Sequence, residues 1–345
     1  MRDFLCPSCG NRLAFENSVC LRCGSAIGFD LPRRAFRPVD STGATDDGGR
    51  PARVCNNLSI ARCNWLAPID APGGLCLSCR LTRTRPNNDD LIGLREFGKA
   101  ESAKRRLVVQ LDELGLPIVG RDEDPTGGLC FDLLSSEHHR VITGHANGVI
   151  TIDLAEGDDV HREQLRVSMA EPYRTMLGHF RHEIGHYYYL VLASRGAERQ
   201  RFEELFGDPD TSYSDALDRH YSGGAPEGWQ DDYVSSYATM HPAEDWAETF
   251  AHYLHIRDTL DTAAAFGTAP AGVTLDRPIP GPAGFRYILN QWLPLTWTLN
   301  MVNRSMGHSD LYPFVLPPPV LGKMQFVHEL VTARQLRVRN PQAVG

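Results

Sequence analysis

His182-Glu183-Ile184-Gly185-His186 is the stretch that decides how this chain is read. Residues four apart on a helix lie on one face, one turn above each other. The two imidazoles can therefore share one metal ion. Glu183, rotated about 100° from His182 around the axis, can act as general base toward a water at that ion. The surrounding segment 171–194, EPYRTMLGHFRHEIGHYYYLVLAS, carries Tyr173, Met176, Leu177, Phe180, Ile184 and the run from Tyr187 to Leu192. That broad apolar surface predicts a buried helix, with Pro172 suited to its first turn. Two histidines and a glutamate buried together need partners, and a metal supplies them.

Three protein ligands and one open position make the usual catalytic zinc shell, so a further donor must come from elsewhere. Position 192, six residues past His186, is Leu, which excludes a third histidine at that spacing. The segment 235–253, SSYATMHPAEDWAETFAHY, offers a second helix starting at Pro242. Ala243, Trp246, Ala247, Phe250, Ala251 and Leu254 form its apolar stripe. Glu244 and Glu248 share one face of it, and two acids on a packed face are costly unless something positive meets them. Glu244 is assigned as the third zinc ligand. Glu248, one turn later, is assigned to accept a hydrogen bond from a ligand histidine, which fixes that ring's tautomer. The exchanged assignment, with Glu248 on the metal, stays open.

Eight of the nine cysteines precede residue 80, as Cys6-x2-Cys9, Cys20-x2-Cys23, Cys55, Cys63 and Cys76-x2-Cys79. Paired CxxC knuckles, each followed by glycine (Gly10, Gly24), are a strong zinc-ribbon signal. Two structural zinc ions are expected, one on Cys6, Cys9, Cys20 and Cys23 and one on Cys55, Cys63, Cys76 and Cys79. An interleaved pairing of the two quartets stays open. A disulfide framework would need an oxidising compartment, which nothing in the sequence indicates. Cys130 is expected as a buried apolar residue.

A chain of 345 residues can hold one large and one small domain. No apolar run is long enough for a bilayer, and MRDFLCPSCG lacks a signal peptide's apolar core, so a cytoplasmic location is expected. The net charge of −8 argues against a nonspecific nucleic-acid binder. Residues 30–54 read as an ordered excursion or a loop, and RLTRTRPNNDD after Cys79 as a polar linker. An amphipathic helix is expected over 91–114, with Lys104-Arg105-Arg106 on a solvated face. Residues 141–152 predict a hairpin across a Gly/Asn turn. His145 and His179 are candidate site residues, though hydrogen-bonded structural roles suit them as well. Residues 199–229, between the two metal-binding helices, carry turns at 206–209 and 223–226 and could cover the cleft. The stretch 299–307 suits a rigid polar loop whose Arg304 could bind a substrate carboxylate or carbonyl, or form a structural ion pair.

The spacing Y-x6-E-x3-E of Tyr237, Glu244 and Glu248 resembles that of gluzincin-type metallopeptidases. The resemblance favours Glu244 as ligand and implies that Tyr237 donates its hydroxyl to the oxyanion of the tetrahedral intermediate. It also implies that a strand such as 149–152 borders the cleft and pairs with extended substrate. Across nearly its whole length the chain resembles a bacterial family of zinc-binding metallopeptidases with an N-terminal zinc-ribbon region. The resemblance is carried by CPxCG…CxxCG, Cys63-Asn64-Trp65, GHFRHEIGHYYY, SxYAxxHPxEDWAETFAHYLH and NRSMGxxDxYPF. It implies an α+β fold: a Cys-rich zinc-ribbon region over 1–85, then a mainly helical zincin-like domain with a small sheet over 90–345. The expected activity is hydrolysis of a peptide or related amide bond, with one catalytic and two structural zinc ions. A peptide or protein is the expected substrate, and the ribbon region could engage a protein partner. A binding module built on a non-catalytic scaffold, or an enzyme acting on an isopeptide or small-molecule amide, remain the competing readings.

Overall fold

The computed structural model describes residues 2–45, 48–137, 140–157, 175–269, 279–312 and 316–339. Two compact units make up the chain: Met1–Val109 with Ile118–Asp159, and Gln110–Pro117 with Val160–Gly345. The division does not follow the boundary expected at residues 85–90. A four-stranded sheet and most of the helix Leu91–Glu113 group with the cysteine-rich segment.

Short hairpins dominate the first unit. β1 (Phe4–Leu5) pairs with β2 (Arg12–Leu13), β3 (Ile27–Asp30) with β4 (Ala35–Pro38), and β5 (Ala52–Val54) with β6 (Leu66–Pro68), all antiparallel. The two knuckles repeat one geometry: Gly10 N–H bonds the Cys6 carbonyl and Gly24 N–H the Cys20 carbonyl, each at 2.9 Å. Both glycines have positive φ, +68° and +73°, which an L-residue adopts only with strain. The core beneath is aromatic. Phe29 is fully buried, and the rings of Phe4, Phe15, Phe36 and Trp65 lie 5.0–5.7 Å from its own. Asp40 orders the excursion after β4 by accepting the N–H groups of Thr42 and Ala44, at 2.7 and 3.0 Å.

Two one-turn helices, α1 (Leu58–Ala61) and α2 (Leu77–Arg80), lie among the second cysteine quartet, and α2, which holds Cys79, leads into β7 (Thr82–Thr84). The stretch expected as a linker after Cys79 therefore contains a strand. β7 pairs in parallel with β8 (Cys130–Leu134), β8 in parallel with β10 (Val149–Asp153), and β10 antiparallel with the edge strand β9 (Gly144–Ala146). The β9–β10 turn is the pair Asn147-Gly148, both at positive φ, as a two-residue hairpin with the sheet's own twist demands. Cys130 is buried in β8, as expected.

On α3 (Leu91–Glu113) the expectation of a solvated basic face is corrected. Lys104 and Arg105 are buried. Lys104 Nζ bonds the Glu101 carboxylate and the Thr82 hydroxyl, and Arg105 donates to the carbonyls of Ala61 and Arg62 at 3.2 Å each. A cationic chain goes inside when carboxylate and carbonyl oxygens replace its water. Arg106 remains part-exposed and pairs with Glu16.

The second unit is helical where described. α4 (Met176–Tyr188) starts after Thr175, whose hydroxyl accepts the Gly178 N–H at 3.0 Å; Pro172 and Tyr173 lie outside the described residues. The chain then widens into a π-helical turn, Tyr189–Ala193, instead of staying α-helical to Ser194. The segment between the metal-binding helices folds as α5 (Gly196–Phe206) and α6 (Tyr213–Gly223), each stopped by glycine, Gly207 and Gly224. α7 (Pro242–Ala265) begins at the expected proline. His241 caps it, with Nδ1 accepting the Ala243 N–H at 3.1 Å. α8 (Gly281–Ser305) and α9 (Pro318–Arg339) complete the unit.

Ile256 and Leu260 of α7 pack with Trp292 and Leu295 of α8 and with Val320 and Met324 of α9. Each such burial is worth roughly 1.5–3 kcal/mol. The stretch expected as a polar loop, 299–307, is helical through Ser305. Its fully buried Asn300 donates to the Tyr312 carbonyl at 2.8 Å and accepts the Leu311 N–H at 3.0 Å, which fixes the turn that follows. Pro313 and Phe314 lie outside the described residues. Among the described residues, no helix is long and apolar enough to cross a membrane.

Buried His328 on α9 generates a test of this packing. Its Nε2–H donates to the Ile279 carbonyl at 3.0 Å, and its Nδ1 accepts the Tyr253 hydroxyl, also at 3.0 Å. Burial pushes its pKa down to about 4. The unfolded chain, with an ordinary histidine, takes up the proton first as pH falls below about 6.5. Stability from this group is therefore complete above that pH and lost progressively toward pH 4. Denaturant midpoints at pH 7.5 and pH 5 should show the wild type losing about 2 kcal/mol more than His328→Gln. Equal losses in the two proteins would refute the assignment.

Candidate metal centre

The centre forms where α4 crosses α7, and Gly185 sets how near they come. A Cβ at Gly185 would stand 3.0 Å from Ala247 Cα and 3.2 Å from the Ala247 carbonyl oxygen. The Trp246 indole N–H bonds the Gly185 carbonyl at 2.8 Å, and the rings of Tyr188 and Phe250 stack 5.6 Å apart. Glycine in the middle of the motif therefore lets the two backbones touch. That contact places the imidazoles of α4 opposite the carboxylates of α7.

The donor atoms converge. His182 Nε2 lies 3.2 Å from His186 Nε2 and 2.9 Å from Glu244 Oε2, and His186 Nε2 is 3.4 Å from the same oxygen. A tetrahedral ion with bonds of about 2.0–2.1 Å holds its ligands about 3.3 Å apart, so these three atoms fit one zinc ion. Glu248 approaches the other side of the ring, Oε1 to His182 Nδ1 at 2.6 Å. The exchanged assignment of the two glutamates therefore finds no support in the geometry.

Charge explains why a cation belongs here. Glu244 and Glu248 are both largely buried. Burial alone would raise their pKa values, but the neighbouring histidines outweigh it. Glu244 is held well below the carboxylate range, and Glu248, by His182 first, at about 2. Burial likewise drives His182 toward neutrality, and the two carboxylates reverse this and raise its pKa well above the ordinary value. Without metal, a proton on His182 supplies the positive charge that the carboxylates require; a zinc ion can take over that task.

Glu183 stands apart from that network. It is 7% exposed, and its Oε2 has no hydrogen-bond partner among the described residues. Burial raises its pKa, and the charges of His182 and His186 partly counter this. A buried carboxylate oxygen without a partner costs several kcal/mol unless something arrives to use it.

Tyr237 lies in a single turn just before α7, its ring centroid 6.0 Å from that of His182. Burial first, then the Glu244 charge, keeps its hydroxyl protonated. Sequence reasoning missed two partners. Tyr213, at the start of α6, donates its hydroxyl to Glu244 Oε1 at 3.0 Å, and the Ser235 hydroxyl supports ionised Glu248. No spacing ties either residue to the motif, so only the fold could reveal them. His179 lies near enough to Glu183 for its charge to be felt. His145 belongs to the first unit, where its Nε2 accepts the Gly148 N–H at 3.1 Å across the β9–β10 turn. Arg304, in the last turn of α8, forms two bonds of 2.6 and 2.7 Å to the Asp310 carboxylate just beyond the helix, which realises the ion-pair option.

The cysteines cluster as the spacing predicts, Cys6, Cys9, Cys20 and Cys23 in one group and Cys55, Cys63, Cys76 and Cys79 in the other. Sulfur separations are 3.8 Å for Cys6–Cys23, 3.7 Å for Cys9–Cys20 and 3.6 Å for Cys63–Cys76. Four Zn–S bonds of about 2.3 Å require about 3.8 Å, so each quartet fits one zinc ion. The interleaved pairing is not formed.

Elemental analysis of the purified chain should return three zinc ions, and His186→Ala or Glu244→Ala two. Three ions retained in those variants would refute the site. Gly185→Ala should cost about 1–3 kcal/mol by forcing α4 off α7, and should release the third zinc to a weak chelator while the cysteine zincs stay.

Residues 93–330 match the family described as "Putative zinc-binding metallo-peptidase", and residues 3–90 match a zinc-ribbon domain. An uncharacterized protein of Mycobacterium bovis is 66% identical over 332 residues, spanning 96% of this chain and 95% of its own. Uncharacterized proteins of two Mycobacterium tuberculosis strains match with the same identity and coverage. No solved structure matches. With its metallopeptidase profile covering most of the chain and a ribbon domain ahead of it, the chain belongs to this zinc-binding metallopeptidase family.

Proposed function

We propose that the chain is a zinc-dependent hydrolase that cleaves peptide or related amide bonds, with Glu183 as its general base. The single observation that carries the reading is the partnerless Oε2 of buried Glu183 beside the converging His182, His186 and Glu244 donors. His182, His186 and Glu244 would hold a zinc ion, which would supply Lewis acidity and lower the pKa of water toward neutrality. Glu183 takes the proton from the attacking water, and its raised pKa suits it to hand that proton on to the leaving nitrogen. Tyr237, kept protonated, donates its hydroxyl to the oxygen that gains negative charge as the carbonyl carbon becomes tetrahedral. Glu248 holds the His182 ring through Nδ1 and keeps Nε2 as the donor toward the centre.

Glu183→Gln should retain three zinc ions yet lose at least about 10²-fold in turnover. Tyr237→Phe should lose on the order of 10²-fold in kcat, with a smaller change in KM. The direct experiment offers wild type and Glu183→Gln to a complex protein mixture and compares the new N-termini. Termini formed by the wild type alone support the reading, and termini formed equally by both overturn it. New lysine amines without new α-amino termini would move the bond to an isopeptide.

A further inference from the structure

Glu244 uses its two oxygens differently. Oε2 meets the two histidine nitrogens, at 2.9 and 3.4 Å, whereas Oε1 accepts the Tyr213 hydroxyl at 3.0 Å. Tyr213 comes from neither metal-binding helix. It is the first residue of α6, set by the Ser212 cap, in the segment that separates them. Its ring lies 5.3 Å from that of His241, whose Nδ1 caps α7 one residue ahead of Pro242. Tyr237 is near enough for its hydroxyl to be felt electrostatically at Tyr213.

From this juxtaposition we infer that Tyr213 is a positioning residue of the metal centre, one that holds Glu244 to a single-oxygen ligand. The inference rests on the proposed zinc site. A glutamate with both oxygens free can swing to grip a metal with two, which fills the position a reacting water needs. The Tyr213 hydroxyl ties up Oε1, so Oε2 alone remains for the ion. Because α6 delivers Tyr213, the order of the segment between the two metal-binding helices sets ligand geometry at the centre. Tyr213 is itself 44% exposed, so loss of its hydroxyl leaves the packing of the unit unchanged.

The test keeps zinc at the two cysteine sites and replaces the third ion with cobalt in the full chain. Visible absorption then reports coordination number at that ion alone. Tyr213→Phe should shift the cobalt spectrum from the intense four-coordinate form toward the weaker five-coordinate one, and should raise the zinc Kd of that site roughly 10–100-fold. Tyr237→Phe, which leaves the Tyr213–Glu244 bond in place, should leave both readings at wild-type values. A wild-type spectrum and Kd in Tyr213→Phe would overturn the inference while leaving the zinc site standing. The same change in both variants would assign the effect to the tyrosine pair as packing and would also overturn it. Failure of the wild type to bind a third ion would remove the zinc site and this inference with it.

Discussion

The meeting of two buried carboxylates on α7 with two imidazoles on α4 is the constraint on which the second unit depends. An unpaired buried carboxylate costs several kcal/mol, comparable with the whole margin of a folded domain. Glu244 and Glu248 are tolerable inside because His182 and His186 lie within 2.6–3.4 Å and a positive charge, proton or metal, sits among them. The requirement reaches outward from there. Gly185 must be glycine for the helices to touch, Trp246 must lock that contact through its N–H, and α7 must begin at Pro242 so that its first turns face α4. Glu183 is the exception in this compensated cluster, and the exception is where chemistry is proposed.

The first unit solves a related problem with a different donor. Around the cysteine quartets, strands of two to four residues and a core of a few aromatic rings bury little apolar surface, so the fold around Phe29 gains from ions that tie distant turns together. Glycines at positive φ aim each knuckle's sulfurs at a common point. Lys104 and Arg105 show the same compensation without metal, inside the unit and fully served by oxygen acceptors.

How legible each feature was depends on whether it is periodic. The histidines, Glu244 and Glu248 follow the helical repeat within one element each, and the cysteine knuckles follow a fixed turn, so spacing located all of them. Tyr237, seven residues before Glu244, stands out only through the resemblance to gluzincin-type metallopeptidases. Tyr213 and Ser235 obey no such interval, because their contacts join segments far apart in sequence. Lys104 and Arg105 were misread for the same reason: a basic triplet looks solvated until the carbonyls of Ala61 and Arg62 are seen to receive it. For Arg304 the sequence leaves a ligand and an ion pair both open, because Asp310, six residues on, lies beyond any helical rule.

By itself the sequence determined the candidate donors and the helices that carry the mixed cluster, while the pairing of the cysteines and the choice between Glu244 and Glu248 stayed open. Those properties are local, since a helix or a turn converts residue spacing directly into direction. Only the tertiary structure decided which oxygen of Glu244 faces the histidines, which nitrogen of His182 Glu248 takes, and that α6 sends Tyr213 to the remaining oxygen. Such choices follow from the distance between packed backbones, set here by the missing side chain of Gly185, and no spacing along a single helix encodes that distance.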